Sequence, residues 1–366
     1  MTTVSRQNPL KHAFDLYMSD LSYNEIEKLI KQEAAEVYEF FSSDIPKPDQ
    51  NHNKFVRALV FVRSLFNAFL LKLKPARRMF YIAALLIFIL GYVQDIGSYV
   101  IFGFIVLNGL LAFELADKLL TKDELQVARK IQAGLMPITP PLNKHYEITA
   151  FYQSAKEIGG DYFDIINADN GKDKTYVVVG DISGKGIAAA LYMVKVQSII
   201  RLLSSSMDGI TDIFINLKKY FSENLQKDYF LTLIGASIEN DGSLQICSAG
   251  HNPVLYYNAE NESFEMINPK GIGIGLKDNG IFEKTLEEKT IKPAVNDIFV
   301  FYTDGLTEAM NERKIQFGTA RLQALIKANK NKTAVELKEI LIREIKYFIG
   351  NHYQHDDLTF IILKAK

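Results

Sequence analysis

The sequence predicts an α/β sandwich in the C-terminal part of the chain, preceded by a strongly apolar helical region. From residue 142 onward, short β-rich runs alternate with turns rich in Gly, Asn and Asp, and four longer helical patterns interrupt them. Upstream, two uncharged stretches of helical length follow each other directly. Strands that meet in hairpins and are flanked by pairs of helices are typical of an α/β sandwich.

The elements of the predicted sandwich can be read in chain order. The predicted strands are YEITAFYQS, KTYVVVGDI, YFLTLIGASIEN, SLQICSAG, DIFVFYTDG and LTFIILKA. Helical periodicity covers residues 188–205, 210–225, 319–328 and 333–348.

Composition limits the classes of function. The chain has 366 residues, more than one ordinary domain needs, and 48 % of them are hydrophobic. Its formal net charge of −1 provides no basic field for nucleic acid, so no nucleic-acid partner is expected. Cys247 is the one cysteine of the sequence, which excludes a disulfide framework and disfavours a cysteine-based zinc site. A reducing compartment is therefore expected.

The N-terminal third is predicted to be helical and membrane-associated. A helical pattern over 8–43 and a polar linker over 42–53 precede residues 55–73, which fit a helix on the membrane surface and a packed soluble helix equally well. Residues 79–94 and 96–113 are uncharged and number 16 and 18, the short end of what crosses a bilayer. Two such stretches joined by QDIGS favour a transmembrane hairpin over two buried core helices.

Basic residues flank this hairpin at both outer ends. They are Lys72, Lys74, Arg77 and Arg78 before it, and Lys118 and Lys122 after it. Because positive charge remains on the cytoplasmic side, both ends of the hairpin are expected in the cytoplasm.

A strong helix-forming segment follows over residues 114–136. Five apolar residues lie near one of its faces, interrupted by Glu124, and they are Ala116, Leu120, Val127, Ile131 and Leu135. One interpretation is a signalling or dimerising helix between the membrane and the C-terminal domain, and the other is a helix that packs on its own domain. The first is slightly favoured. Prolines at 137, 140 and 141 end the helix.

Acidic residues recur at the ends of predicted strands. They are Asp161 and Asp164 in GGDYFD, Asp181 in DISGKG, Asp304 in DGLTEA, and Asp356 and Asp357 before LTFII. A single Asp-Gly after a strand is usually a turn, but several such motifs in one domain indicate a cluster of carboxylates. Hard oxygen ligands of this kind suit Mg²⁺ or Mn²⁺.

Other catalytic signatures are absent from the sequence. No GxxxxGK[ST], HExxH or GxSxG motif occurs. GGDYF resembles the GGDEF signature of diguanylate cyclases, which would give a cyclase-like enzyme. That family does not need the later motifs DISGKG, TDG and DDLT in this order, so the cyclase interpretation is disfavoured.

Taken together, the motifs resemble those of the bacterial SpoIIE/RsbU-type branch of the PPM (PP2C-like) phosphatases, over about residues 124–366. The similar segments are ELQVARKIQAGLMP, EIGGDYFD, GDISGKGIAAALYM, LTLIGASI, SAGHNP, YTDGLTEAMN and HDDLTFIIL. The resemblance implies an αββα sandwich with two divalent ions, Mn²⁺ or Mg²⁺, at one edge. With it, four regions are expected: helical 1–78, transmembrane 79–113, linker helix 114–141 and phosphatase domain 142–366.

The resemblance also implies a set of site residues. Asp181 would bridge both metals, and Ile182 would offer its backbone carbonyl. Asp304 and Asp356 would complete one metal site, so that these three aspartates act in catalysis through metal-bound water. Asp161 would be a ligand directly or through water.

Four further residues of these motifs have weaker or open roles. Asp357 ranks below Asp356 as a ligand, and Asp164 is a candidate for a structural role. Lys185 is a candidate phosphate-binding residue, although a solvated loop lysine fits equally well. Ser183 stands where animal relatives carry a histidine proposed as a general acid.

The implied activity is hydrolysis of phosphoserine or phosphothreonine on a protein, by a water that two metals activate. The implied substrate is a STAS-type anti-sigma-factor antagonist, and a homodimer through residues 114–136 would regulate turnover. The implied location is the bacterial inner membrane, with several spans and a cytoplasmic catalytic domain. The alternatives are a catalytically silent scaffold that binds a partner, and a membrane structural protein whose acidic loops bind a cation for stability.

Overall fold

The computed structural model describes residues 54–137, 139–155, 158–168, 174–184, 186–222, 229–276, 280–350 and 352–366. The predicted helix over 8–43 and the linker over 42–53 lie outside these residues. The chain divides into two compact units, one up to Leu119 and one from Leu120 onward.

The described part of the N-terminal unit consists of helices. They are α1 (Lys54–Lys72), α2 (Pro75–Val93) and the start of α3 (Gly97–Leu135). The second uncharged stretch and the predicted linker helix form one continuous helix of 39 residues. The sequence changes from apolar to charged at Glu114, but a change of polarity does not end a helix. The next proline, which would end it, is Pro137.

Helices α2 and α3 pack closely through small residues. A Cβ atom at Gly91 would lie 2.7 Å from Cβ of Tyr99, and one at Gly103 would lie 2.8 Å from Cβ of Phe88. Close backbone approach at glycines is typical of paired membrane helices. At the other end of the pair, the Arg77 guanidinium lies 2.8 Å from Glu114.

Three helices among the described residues are long and apolar enough to cross a membrane. They are α2, α3 and a helix of the C-terminal unit, α4 (Ile187–Ser206). The apolar windows of α2 and α3 are 11 % and 6 % buried, whereas that of α4 is 44 % buried. Helix α4 is apolar because it packs on a β-sheet, as described next.

The C-terminal unit contains two five-stranded antiparallel sheets. Sheet A has the order β1-β10-β9-β6-β7 and sheet B the order β2-β3-β4-β5-β8. The strands are β1 (Tyr146–Gln153), β2 (Asp161–Asn167), β3 (Thr175–Ile182), β4 (Leu231–Ile238), β5 (Leu244–Ala249), β6 (Val254–Asn258), β7 (Ser263–Ile267), β8 (Glu288–Ile291), β9 (Ile298–Tyr302) and β10 (Leu358–Ala365).

Helices cover the outer face of each sheet. Helix α4 and α5 (Ile210–Ser222) pack on sheet B, and α8 (Gly318–Ala328) and α9 (Ala334–Ile349) pack on sheet A. Two short helices, α6 (Phe282–Thr285) and α7 (Asp304–Glu308), lie in connections. The layers run helix, sheet, sheet, helix, as predicted.

Alternation along β9 shows how the sequence builds these layers. Phe299 and Phe301 belong to the core between the sheets, whereas Val300 and Tyr302 belong to the core under the helices. Successive side chains of a strand point to opposite faces, so an unbroken apolar run such as IFVFY fits a strand buried on both sides.

Candidate active site

Two aspartates face each other where β2 begins and β3 ends. Asp161 and Asp181 are direct partners in the antiparallel register of these strands. Directly opposed residues project to the same face of a sheet, so the two carboxylates share one face at one edge of the sandwich.

Asp161 is held from the opposite sheet by two hydroxyls. Its Oδ2 accepts a hydrogen bond from Thr303 Oγ1 at 2.8 Å and another from Thr359 Oγ1. Thr303 comes directly before Asp304, and Thr359 is the second residue of β10. Neither threonine was predicted from the sequence, although each adjoins an acidic motif. They tie the two sheets together at the edge where the acids lie.

Asp357 uses both carboxylate oxygens to hold backbone. Oδ1 accepts from Ala155 N at 2.8 Å, and Oδ2 accepts from Gly160 N at 2.7 Å and from Asp161 N at 3.3 Å. Asp356 Oδ1 in turn accepts from the backbone N–H of Asp357 at 3.0 Å. The geometry gives Asp357 a positioning role over the turn before β2.

Glycines allow the motifs to approach one another. A Cβ at Gly305, directly after Asp304, would lie 2.9 Å from the carbonyl carbon of Asp357. A Cβ at Gly160 would lie 3.2 Å from the carbonyl oxygen of Ile182. The TDG turn therefore packs on the Asp356–Asp357 pair, and the Ile182 carbonyl lies beside the turn that precedes Asp161.

A small cleft opens among these motifs. Its lining includes Gly160, Asp181, Gly184, Gly186, His355, Asp356 and Asp357. Gly184 and Gly186 have φ values of 94° and 84°, a conformation that side chains disfavour, and Gly186 directly precedes α4. The N-terminal end of a 20-residue helix thus lies at the cleft.

The acids of this edge repel one another. The pKa of Asp181 is raised to about 7. Burial is the largest cause, and the negative charges of Asp304, Asp356 and Asp357 add to it. The pKa of Asp161 is raised well above its ordinary value, first by burial and then by repulsion from the carboxylates of Asp181 and Asp357. A divalent cation would relieve this repulsion.

The donor chemistry of the edge fits such a cation. Carboxylates and a backbone carbonyl are the hard oxygen ligands that Mg²⁺ and Mn²⁺ prefer. Among the described residues no three His, Cys, Asp or Glu side chains already stand at metal-binding separations. The fold nevertheless brings the acids to one edge of the sandwich.

Asp164 lies apart from this cluster. It is three residues along β2 from Asp161, which places it on the opposite face of the strand. It is fully buried and makes a bidentate pair with Arg201 of α4, at 2.7 Å to Nε and 3.1 Å to Nη2. Its role is structural.

The two remaining candidates from the sequence have different outcomes. Lys185 lies outside the described residues. Ser183 is tied to the backbone that leads into β4, because its Oγ accepts from Phe230 N at 2.8 Å and its N–H donates to Phe230 O at 2.9 Å.

A buried histidine contacts β4, the strand that pairs with the Asp181 strand. Thr232 of β4 is the register partner of Asp181, and its Oγ1 lies 2.8 Å from Nδ1 of His251. Burial lowers the pKa of His251 to about 4. His251 is therefore neutral near pH 7 and contributes to packing behind the site.

Comparison with known proteins gives the family context. The sequence profile described as Stage II sporulation protein E (SpoIIE) matches residues 171–366. Protein IcfG of Synechocystis sp. is 28 % identical over 280 residues, which cover 69 % of this chain and 43 % of IcfG. The phosphoserine phosphatase RsbU of Bacillus subtilis is 28 % identical over 250 residues, which cover 67 % of this chain and 71 % of RsbU. The chain thus spans less than half the length of IcfG.

Solved structures share the fold. The SiaA-PP2C domain of Pseudomonas aeruginosa superposes with a TM-score of 0.58 at 19 % identity, over 69 % of this chain and 99 % of that domain. The RsbU and RsbW domains of a Mycobacterium tuberculosis protein give 0.53 at 23 % identity, over 63 % of each chain. These similarities confirm the predicted PP2C-like α/β fold. Since the matching profile covers more than half of the sequence, the chain belongs to the SpoIIE family.

Proposed function

We propose that the chain is a metal-dependent protein phosphatase that hydrolyses phosphoserine or phosphothreonine. The observation that carries this proposal is the edge of the sandwich to which the fold brings Asp161, Asp181, Asp304 and Asp356, close enough for neighbouring acids to raise the pKa values of Asp161 and Asp181. Membership of a family whose relatives include the phosphoserine phosphatases RsbU and RsbP supports it.

Two divalent ions, Mn²⁺ or Mg²⁺, would be held by the chain's oxygen donors. The proposed ligands are Asp161, Asp181, the carbonyl of Ile182, Asp304 and Asp356. When bound, such ions supply a water that is acidic near neutral pH and offset the negative charge of the phosphoryl group.

The chain's own residues orient these donors and the phosphate. Thr303 and Thr359 fix one oxygen of Asp161, and Asp357 holds the turn before it. The N-terminal end of α4 favours an anion at the cleft, because its free N–H groups and helix dipole present positive charge there. Lys185, which directly precedes Gly186 in the sequence, is proposed as a further contact to the phosphate.

The proposed substrate is a phosphorylated protein, in particular a STAS-type anti-sigma-factor antagonist. The names of RsbU and RsbP, both phosphoserine phosphatases of Bacillus subtilis, support a phosphoserine-bearing substrate. Gly184, His355 and Asp356 of the cleft lining are exposed, which suits a phosphorylated side chain presented by a protein surface.

We further propose that α2 and the first part of α3 form a transmembrane hairpin in the bacterial inner membrane, with the catalytic unit in the cytoplasm. Their apolar composition, their low burial and their glycine-mediated packing support this. Beyond the hairpin, Leu120, Val127 and Ile131 of α3 are 64 %, 58 % and 62 % exposed. This apolar stripe suits a second copy of the chain, which would make a regulatory homodimer.

The test is hydrolysis of p-nitrophenyl phosphate by the full chain in detergent, with Mn²⁺ and with EDTA. Asp181→Asn is the site variant. Glu260→Gln, an exposed acid in the β6–β7 turn, is the matched control. We expect Mn²⁺-dependent turnover that EDTA and Asp181→Asn abolish and that Glu260→Gln retains. Absence of turnover by the full chain would reject the proposal in favour of a silent scaffold.

A further inference from the structure

A buried glutamine of helix α3 contacts the turn that precedes Asp161. The side chain of Gln132 is 4 % exposed. Its Nε2 donates to the carbonyl oxygen of Gly159 at 2.8 Å, and its Oε1 accepts from the N–H of Gly159 at 3.2 Å. One amide side chain thus satisfies both backbone groups of one residue, as a neighbouring strand would.

The same turn is held from its other side. The next two N–H groups, of Gly160 and Asp161, both donate to Oδ2 of Asp357. Three successive backbone donors are therefore satisfied by two side chains from distant parts of the sequence. A Cβ at Gly159 would lie 2.8 Å from Cγ of Asp357, so the turn has no spare room on that side.

Other contacts seat the end of α3 on the catalytic unit. Met136 is buried, and the carbonyl oxygen of Leu135 accepts from Gln197 Nε2 at 2.6 Å and from Arg201 Nη2 at 3.4 Å. The exposed stripe that includes Val127 and Ile131 points elsewhere, because Ile131 and Gln132 are adjacent residues about 100° apart around the helix. Partner binding and site contact therefore use different faces of α3.

We propose that Gln132 is a positioning residue for the metal site, acting through the Gly159–Gly160 turn on Asp161. The Gln132 amide fixes the turn and thereby the start of β2. Without this amide, the buried N–H and C=O of Gly159 would lose their partners, which is costly, and the turn would rearrange. This inference rests on the proposed function only in taking Asp161 as part of the metal site.

The test compares variants of the full chain in detergent. Gln132→Met keeps the length of the side chain and removes both hydrogen bonds. Gln132→Asn keeps the amide but shortens its reach, and serves if the Met variant does not fold. Gln126→Met changes an exposed glutamine of the same helix and is the matched control. The two measurements are Mn²⁺ affinity by calorimetry and amide hydrogen exchange of peptides that cover residues 158–162.

We expect Gln132→Met and Gln132→Asn to weaken Mn²⁺ binding about tenfold, or about 1.4 kcal/mol, and to speed exchange in the 158–162 peptides. Exchange in the rest of the C-terminal unit stays slow, and Gln126→Met behaves as the wild type. Unchanged affinity and exchange would overturn the proposal, and so would faster exchange throughout the unit, since that indicates a general structural role. Wild-type protein that binds no Mn²⁺ would refute the proposed function, while the exchange comparison would still test the contact of Gln132 with the turn.

Discussion

Substituting Gly159 by alanine probes how tightly the site turn is packed. The new Cβ would lie 2.8 Å from Cγ of Asp357 and would overlap the Asp357 Oδ2 atom and the Tyr152 hydroxyl. Carbon atoms in ordinary contact are about 3.5–4.0 Å apart, so the overlap with Asp357 is at least about 0.7 Å. Either Asp357 or the turn must move, and the hydrogen bonds from Ala155, Gly160 and Asp161 to the Asp357 carboxylate are strained or lost.

The cost follows from these contacts. Overpacking of a tight interior site costs about 1–3 kcal/mol, before any loss of hydrogen bonds. Because the displaced groups precede Asp161 directly, we expect Gly159→Ala to weaken Mn²⁺ binding by about tenfold or more. Turnover at limiting Mn²⁺ should fall in parallel. The assay is p-nitrophenyl phosphate hydrolysis by the full chain in detergent, titrated with Mn²⁺.

A second glycine provides the control. Gly134 lies in α3, and a Cβ there would meet no atom within 4 Å. Gly134→Ala should therefore leave turnover unchanged and stabilise the helix by about 0.5–1 kcal/mol. Adding Tyr152→Phe to Gly159→Ala removes one of the two overlaps and should restore part of the Mn²⁺ affinity. Wild-type affinity in Gly159→Ala would refute the packing argument, and an unchanged double variant would assign the whole effect to Asp357.

Two further predictions concern groups outside the cluster. Arg201→Met leaves the buried carboxylate of Asp164 without its cation and should lower the free energy of unfolding by about 2 kcal/mol. This loss is smaller than for a fully buried pair, because the Arg201 side chain is 46 % exposed. Near-ultraviolet circular dichroism in a urea titration measures this, and a second Arg201 variant, Arg201→Lys, should lose less. The lowered pKa of His251 means that the unfolded chain takes up a proton there before the folded chain does, so stability should fall as pH drops from 6.5 toward about 4. His251→Gln should remove this part of the pH dependence, which amounts to about 3 kcal/mol of unfolding free energy between pH 6.5 and about 4. An unchanged dependence of unfolding free energy on pH in the variant would contradict the role given to His251.

Elements with an undisturbed apolar pattern were predictable from the sequence. Strands β3, β9 and β10 contain the continuous apolar runs YVVV, IFVFY and FIIL, because both faces of these strands are buried. Strand β2 was missed because Asp161 and Asp164 interrupt its apolar pattern. Strands β6, β7 and β8 were missed because they are only four or five residues long, and the last two lie at sheet edges with largely exposed side chains.

Asp181, Asp304 and Asp356 of the candidate site were predictable because they adjoin predicted strands, whereas the groups that orient Asp161 were not. Thr303 and Thr359 look like ordinary strand residues, and their bonds to Asp161 depend on how two sheets face each other. Gln132 looks like a polar residue on a solvated helix face, and only the docking of α3 shows that it is buried. The position of Asp164 away from the other acids could be predicted only if β2 was recognised as a strand. Residues three apart in a strand, such as Asp161 and Asp164, point to opposite faces of the sheet.

The C-terminal part of α3 carries both the exposed stripe and the contact with the site turn. Val127 and Ile131 of the stripe and Gln132, which contacts Gly159, lie on one unbroken stretch of helix within the C-terminal unit. Side-chain atoms lie about 5–6 Å from the helix axis, so a rotation of about 20° displaces the Gln132 amide by about 2 Å. A displacement of that size takes both of its hydrogen bonds beyond bonding distance. The exposed stripe of Val127 and Ile131 would turn by the same angle, so a partner that favours one rotation of the stripe would also favour one state of the Gly159–Gly160 turn.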